Sequence, residues 1–277
     1  MRSESEARFH KQARDVAVEA ALQAAHLIRT HAGRLREADI QEKGVHDLVT
    51  TVDEASQALI TRILRDAFPE DAVLAEEDDD ADAMAEAADG YRWIIDPIDG
   101  TTNFTHGVPP YAVSIALQRE AEVVVGVVLD VATGDLFTAI RGGEAYCNGA
   151  PIRVSRRASL GVGLLATGFP YRAYDHVDSY LAVFRRFMEQ ARGIRRFGSA
   201  SIDLAYVACG RFDGFYETGL NAWDVAAGTL LVEEAGGRVT DYRNIPNPLF
   251  AKQILATNGL LHDAMLDILA PMQDERS

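Results

Sequence analysis

Between Tyr91 and Val154 the sequence passes through five apolar segments rich in β-branched and aromatic residues: YRWIID, YAVSIALQ, EVVVGVVLDV, DLFTAI and EAYCNGAPIRV. Runs of this length bounded by turn residues predict strands, and Thr133-Gly134 and Asn148-Gly149 favour antiparallel hairpins between them. A chain with such a block is built on a substantial sheet, and its helices come from the flanking sequence.

Those flanks carry helical periodicity. From about Phe9 to Leu35 small and apolar residues recur at helical spacing (Val16, Ala20, Leu27), which predicts a long amphipathic helix closing near Gly33. A second helix is expected from Asp53 to Phe68, capped by Asp53, with Leu59, Ile60, Ile63 and Leu64 on its apolar face and Pro69 ending it. The strand AVLAEE follows, then DDDADAMAEAADG, expected as a mobile surface loop or loose helix. Beyond Val154 come strand GLLATG, helices near 177–190 and 201–209, strand FDGFYET, helix Val225 to Ala235, strands RVTD and QILAT, and a helix near 260–269. Helices segregated onto mixed or antiparallel sheets predict a layered α+β fold. At 277 residues the chain can form one large domain or two intimately packed ones.

Composition narrows the function. With 42 acidic against 27 basic residues and a formal net charge of −15, the chain is a poor candidate for holding nucleic acid, which needs clustered Lys and Arg. Cys147 and Cys209 are the two cysteines, they form no CxxC pair, and a reducing compartment suits them. The N-terminus lacks the apolar core of a signal peptide and no run approaches a membrane span, so the cytoplasm is the expected location.

The acids are concentrated where they should repel. In WIIDPIDGTTNF, Asp96 leaves the end of a strand, Pro97 fixes the backbone and Asp99-Gly100 makes a tight turn, which brings both carboxylates to one side. Two carboxylates ~4 Å apart repel by about 4 kcal/mol at an effective dielectric of 20. A hard divalent cation such as Mg²⁺, Mn²⁺ or Ca²⁺ would resolve that conflict. Thr101 and Thr102 begin a turn or helix whose free N–H groups can receive an anion. Metal ions beside an anion pocket point to a phosphate and to metal-assisted hydrolysis. Asp, Pro and Gly are also the commonest turn formers, so DPIDG alone reads equally well as a surface turn. Likewise, Glu76 in LAEED could belong to a solvated acidic loop, and Asp224 in NAWDVAAG could be a helix N-cap.

Taken together, DPIDGTTNF, the EED after a strand, and WDVAAG followed by EEAGG resemble the inositol monophosphatase family of Mg²⁺-dependent, lithium-sensitive phosphatases. The blocks occur in the family's order, and the similarity runs from about Phe9 to Leu269. The resemblance implies a five-layered α-β-α-β-α sandwich, two subdomains meeting near residues 154 and 155, and a homodimer. It implies that Glu76, Asp96, the Ile98 carbonyl, Asp99 and Asp224 hold Mg²⁺. Asp47 and Thr101 would orient and deprotonate the attacking water with help from Glu76, and Gly100, Thr101 and Thr102 would cradle the phosphate. Glu217 would grip substrate hydroxyls, Gly198, Ser199 and Ala200 would line the polyol side, and Lys43 would stand near the phosphate. Two departures are visible. Ala75 replaces the glycine common before the paired glutamates, and the TGLNA segment between Glu217 and Trp223 gives no transferable substrate contact.

Other readings carry less. GVGLLA fits a GxGxxA dinucleotide pattern, but its glycines precede the strand instead of linking it to a helix. No GxSxG elbow or Walker motif is present. A non-catalytic metal-binding interaction protein would be expected to lose Asp47 or Thr101, and both are present. The expected substrate is myo-inositol 1-phosphate. Histidinol phosphate, fructose 1,6-bisphosphate, NADP and adenosine 3′,5′-bisphosphate are the alternatives within the same superfamily.

Overall fold

A computed structural model describes residues 4–44, 47–78, 90–171 and 177–273, without the side chains of Lys43 and Asp47. The acidic segment expected as a mobile loop spans residues 78–90, of which 79–89 lie outside the described residues.

Helix α1 (Glu4–His31) starts earlier than its apolar periodicity suggests, with Glu4 and Glu6 suiting the positive end of the helix dipole. It ends two residues before Gly33, which takes a left-handed φ of 69°. Strands β1 (Ile40–Gly44) and β2 (Asp47–Thr50) then pair as an antiparallel hairpin. Sequence reading did not anticipate it, because IQEKG is too polar to stand out as a strand. Helix α2 (Thr51–Ala67) corrects a second expectation. Thr50, not Asp53, is its N-cap: the Thr50 hydroxyl accepts from Val52 and Asp53 N–H, and Asp53 closes a capping box from the third helical position.

Strand β3 (Ala72–Ala75), strand β4 (Tyr91–Asp99) and the short helix α3 (Thr101–Thr105) lead into the strand block. That block is β5 (Ala112–Arg119), β6 (Glu122–Asp130), β7 (Leu136–Ile140), β8 (Ala145–Cys147) and β9 (Ala150–Pro151). These strands form a seven-stranded sheet in the order β3-β4-β5-β6-β7-β8-β9. β3 runs parallel to β4, and the others are antiparallel as the turn residues predict.

The remaining elements are β10 (Leu164–Thr167), α4 (Val177–Gln190), β11 (Gly193–Arg195), α5 (Ala200–Ala208), β12 (Gly214–Thr218), α6 (Ala222–Glu234), β13 (Arg238–Thr240), β14 (Gln253–Thr257) and α7 (His262–Leu269). Their strands form a five-stranded sheet in the order β11-β10-β12-β14-β13.

Strand alternation sorts the core into layers. Trp93, Ile95, Val113, Ile115 and Leu117 pack with α1 and α2, while Ile94, Ala112 and Ala116 pack with α5 and α6. On the smaller sheet, Ala166, Phe215 and Ala256 face α5 and α6, and Leu165, Tyr216 and Leu255 face α4 and α7. The fold is therefore the expected α-β-α-β-α sandwich, with α5 and α6 as a middle layer common to both sheets. Helix α6 is buried on every side, as a helix between two apolar sheets must be. Its approach to β6 depends on Gly126, where a Cβ would lie 2.8 Å from the Ala227 carbonyl oxygen.

Candidate metal centre

In a regular strand, Asp96 and Asp99 would point to opposite faces, because three residues is an odd step. β4 avoids this with an irregularity. Asp96 pairs with Ser114 and Asp99 with Ala112, so three residues of β4 span two of β5, and one extra residue at Pro97-Ile98 turns both carboxylates to the α6 side. The Ser56 hydroxyl of α2 braces this turn by donating to the Pro97 carbonyl at 3.1 Å.

Glu76 reaches the same place along a parallel neighbour. Ala75 pairs with Ile95, and the Glu76 N–H donates to the Ile95 carbonyl at 3.2 Å, which brings Glu76 alongside Asp96. From α2, Gln57 accepts from the Glu77 N–H and donates to Asp78, each at 2.9 Å, and so fixes the end of β3.

Asp99 is buried, and its Oδ2 accepts from the Ser199 hydroxyl and the Ser201 N–H, each at 2.7 Å, and from the Ser201 hydroxyl at 2.5 Å. Asp224 stands at the third position of α6, where its Oδ2 accepts from the Asn221 N–H at 2.6 Å in a capping box. The residue read as a possible N-cap is thus a box partner, and Asn221 is the cap. One carboxylate oxygen from each of Asp96, Asp99 and Asp224 lies within 4.8 Å of the others. They line a cavity of about 150 Å³ together with Glu76, Ile98, Gly100, Thr101, Thr102, Arg196 and Gly198.

The electrostatics match a site that awaits positive charge. Burial, then Glu76, Asp99 and Asp224, push the Asp96 carboxyl well above the ordinary range, and Asp96 Oδ1 is buried with no hydrogen-bond partner among the described residues. Burial also raises Asp99, opposed by its Ser201 and Ser199 donors. A buried oxygen of this kind is costly unless a ligand completes it. Hard carboxylate and carbonyl oxygens fit Mg²⁺ or a similar cation.

Beside the acids, the Thr101 hydroxyl lies 2.9 Å from Asp53 Oδ1 and 3.0 Å from the Ile98 carbonyl. The other Asp53 oxygen is held by the N–H of Thr50 at 3.0 Å and by its hydroxyl. Asp53 is fully buried, and burial raises its pKa against the pull of the Thr50 and Thr101 hydrogen bonds. Asp53 is thus a carboxylate partner of Thr101 that sequence reading did not single out, in addition to the expected Asp47. Asp47 opens β2, three positions before the cap, and its side chain lies outside the described residues, as does that of Lys43 in β1. The missed signal was the Thr50-x-x-Asp53 capping-box spacing, which turns Asp53 inward.

Gly100 has a φ of 99° and caps α3, a conformation that favours glycine. The first bond of that helix is Phe104 N–H to the Gly100 carbonyl at 3.0 Å, so the Thr101 and Thr102 N–H groups precede its hydrogen-bonded turn.

Glu217, half-buried at the end of β12, is pushed up to about 8 by burial, with Asp224 and Asp99 adding to the rise and Arg196 opposing it. Of the three residues expected on the polyol side, Gly198 lines the cavity. Ala200 is buried at the start of α5, and buried Ser199 spends its hydroxyl on Asp99. Arg196 was not singled out from sequence, yet it is the one cation lining the cavity among the described residues.

A family model described as the inositol monophosphatase family matches residues 10–274 of the chain. The Nus factor SuhB of Pseudomonas aeruginosa is 46% identical over 259 residues, covering 93% of this chain and 95% of the relative. The inositol-1-monophosphatase of Rhizobium meliloti is 41% identical over 256 residues, covering 92% and 95%. Among solved structures, the extragenic suppressor protein suhB of Bartonella henselae superposes with a TM-score of 0.85 at 39% identity, covering 92% of this chain and 97% of that one.

Proposed function

The chain belongs to the inositol monophosphatase family, and from that membership we propose that it is a Mg²⁺-dependent phosphomonoesterase acting on myo-inositol 1-phosphate or a related inositol monophosphate. The observation that carries the proposal is the convergence of the Asp96, Asp99 and Asp224 carboxylate oxygens within 4.8 Å. These three, with Glu76 and the Ile98 carbonyl, would hold Mg²⁺. When bound, Mg²⁺ would neutralise phosphate charge and acidify a water.

The chain's own groups supply the rest. A hydroxyl has one hydrogen, so when Thr101 donates to Asp53 its lone pairs are turned toward a water in the cavity. Proton transfer from that water to Thr101, with the Thr101 proton passing to Asp53, leaves hydroxide to attack phosphorus. Asp47 would orient that water together with Thr101, and Glu76 would assist as a second acceptor. Gly100, Thr101 and Thr102 would orient the phosphate through backbone and hydroxyl donors, and Glu217 would accept from the hydroxyls of the leaving alcohol.

We carry the division at residues 154 and 155 as a subdomain boundary, supported by the two sheets falling on either side of it. We also carry a cytoplasmic homodimer with no nucleic-acid partner. No helix among the described residues is long and apolar enough to cross a membrane. Relatives named Nus factor SuhB and inositol-1-monophosphatase both match along most of the chain, and the acidic cavity favours the phosphatase.

Phosphate release should be measured with Mg²⁺ and with chelator on myo-inositol 1-phosphate, fructose 1,6-bisphosphate, histidinol phosphate, NADP and adenosine 3′,5′-bisphosphate. Fastest turnover is expected on the inositol ester. A faster rate on histidinol phosphate overturns the substrate, and turnover undiminished by chelation overturns the mechanism.

A further inference from the structure

Gly100, Thr101 and Thr102 line the acidic cavity from the first half of the chain, and Arg196 and Gly198 line it from the second. The side chain that joins these two walls is Asn103 of α3, which has no part in the steps above. Its Nδ2 donates to the Phe197 carbonyl at 2.7 Å and to the Pro110 carbonyl at 2.8 Å. Two carbonyl acceptors fix the orientation of the amide, because its oxygen in the same place would face lone pairs on both. One amide group thus spends both of its hydrogens on bridging three segments.

Backbone meets backbone where Asn103 makes this bridge. A Cβ on Gly100 would lie 3.1 Å from the Gly198 carbonyl oxygen and 3.2 Å from that of Pro110, and a Cβ on Gly198 would lie 3.3 Å from Asn103 Nδ2. Both glycines have left-handed φ values, 99° and 77°, which together with the close approach favour glycine at each position. Asn103 is itself anchored. Its carbonyl accepts from the Val108 N–H at 2.9 Å, and the next residue, Phe104, is buried against Tyr111 with ring centroids 5.3 Å apart.

We propose that Asn103 is a positioning residue for the phosphate, holding the Gly100–Thr102 donors at the spacing from the Arg196–Gly198 wall that a bound phosphate requires. This rests on the phosphatase function proposed above. Hydrogen bonds to phosphate oxygens weaken steeply when the donors turn away, and a misplacement of about 1 Å can cost on the order of 100-fold in rate. The acidic cluster does not depend on Asn103, because Asp99 has its own links to α5 through Ser199 and Ser201. Loss of the bridge should therefore separate phosphate binding from Mg²⁺ binding. A residue that merely packed α3 would leave both affinities alone or lower them together.

The test is titration calorimetry on the unaltered chain and on Asn103→Ala, first with Mg²⁺ alone and then with inorganic phosphate in saturating Mg²⁺. The variant should bind Mg²⁺ within about threefold of the unaltered chain, bind phosphate about tenfold more weakly, and lose about 10²-fold in kcat/KM on myo-inositol 1-phosphate. Unchanged phosphate affinity, or equal losses for Mg²⁺ and phosphate, overturns the role of Asn103. If Asn103→Ala does not fold, Asn103→Ser in the same titrations decides. The unaltered chain checks the phosphatase reading separately. Phosphate binding there with equal binding by the variant sinks the positioning role alone, whereas an unaltered chain that neither binds phosphate nor turns over the ester overturns both.

Discussion

The Thr101 hydroxyl stands 2.9 Å from Asp53 Oδ1, joining the first turn of α3 to the first turn of α2 at the edge of the acidic cavity. This contact ties the pair proposed to accept the proton to two helix starts, each fixed by its own cap.

Asp53→Asn and Thr101→Ala should each lower kcat by about 10²–10⁴-fold, the usual contribution of a positioned acid-base pair. Asp47→Asn should lower kcat as well, since Asp47 is expected to orient the same water with Thr101. Steady-state kinetics on the inositol ester with saturating Mg²⁺ measure all three variants, and one that keeps full kcat would remove its residue from the proton path.

Asp96→Asn removes a buried carboxyl that Glu76, Asp99 and Asp224 all oppose. Without divalent cation the variant should be more stable than the unaltered chain, on the order of 1 kcal/mol near neutral pH. It should also lose most of the stabilisation that Mg²⁺ confers by binding the folded state. Urea denaturation with chelator and with Mg²⁺ reads both effects, and a variant destabilised under both conditions would contradict the assignment.

The raised carboxyls set a pH dependence. Glu217 moves from 4.5 to about 8 on folding, so between those values the folded state holds a proton that the unfolded chain has released. Its stabilising contribution is complete below the unfolded value and is lost as pH rises through about 8. Burial also raises Asp53, Asp96 and Asp99, so they act in the same direction. In chelator the melting temperature should therefore fall from pH 5.5 to pH 8.5, scanning about three pH units across the Glu217 window. Mg²⁺ should flatten the part of the slope due to Asp96 and Asp99. A melting temperature that rises over this range in chelator would oppose the proposed cluster.

Ser199 and Ser201 hold one oxygen of Asp99 and leave the other to the cavity. Ser201→Ala should weaken Mg²⁺ binding by about 10–100-fold, the scale typical of a group that orients a metal ligand. Saturating Mg²⁺ should restore most of the turnover. Titration calorimetry together with the Mg²⁺ dependence of kcat measures this, and an unchanged affinity would make the contact purely structural.

Features carried by local chemistry were legible in the sequence. The apolar run into DPIDG predicts β4 and its turn, and helix α4 falls on the predicted residues 177–190. Relations between distant segments were not. Nothing local in the all-buried α6 tells that sheets lie on both sides of it. Asp53 looked like a cap because Asp is a good capping residue, whereas the actual cap, Thr50, shows only through its spacing to Asp53. The β1-β2 hairpin is too polar to announce itself.

The one-residue surplus of β4 over β5 between Asp96 and Asp99 makes the length of that segment as important as its chemistry. Side chains at Pro97 or Ile98 can be exchanged within steric limits, but deleting either residue would reverse the pleat and swing Asp99 into the apolar layer against α1 and α2. Drift at this point is therefore open to substitutions and closed to single-residue insertions or deletions.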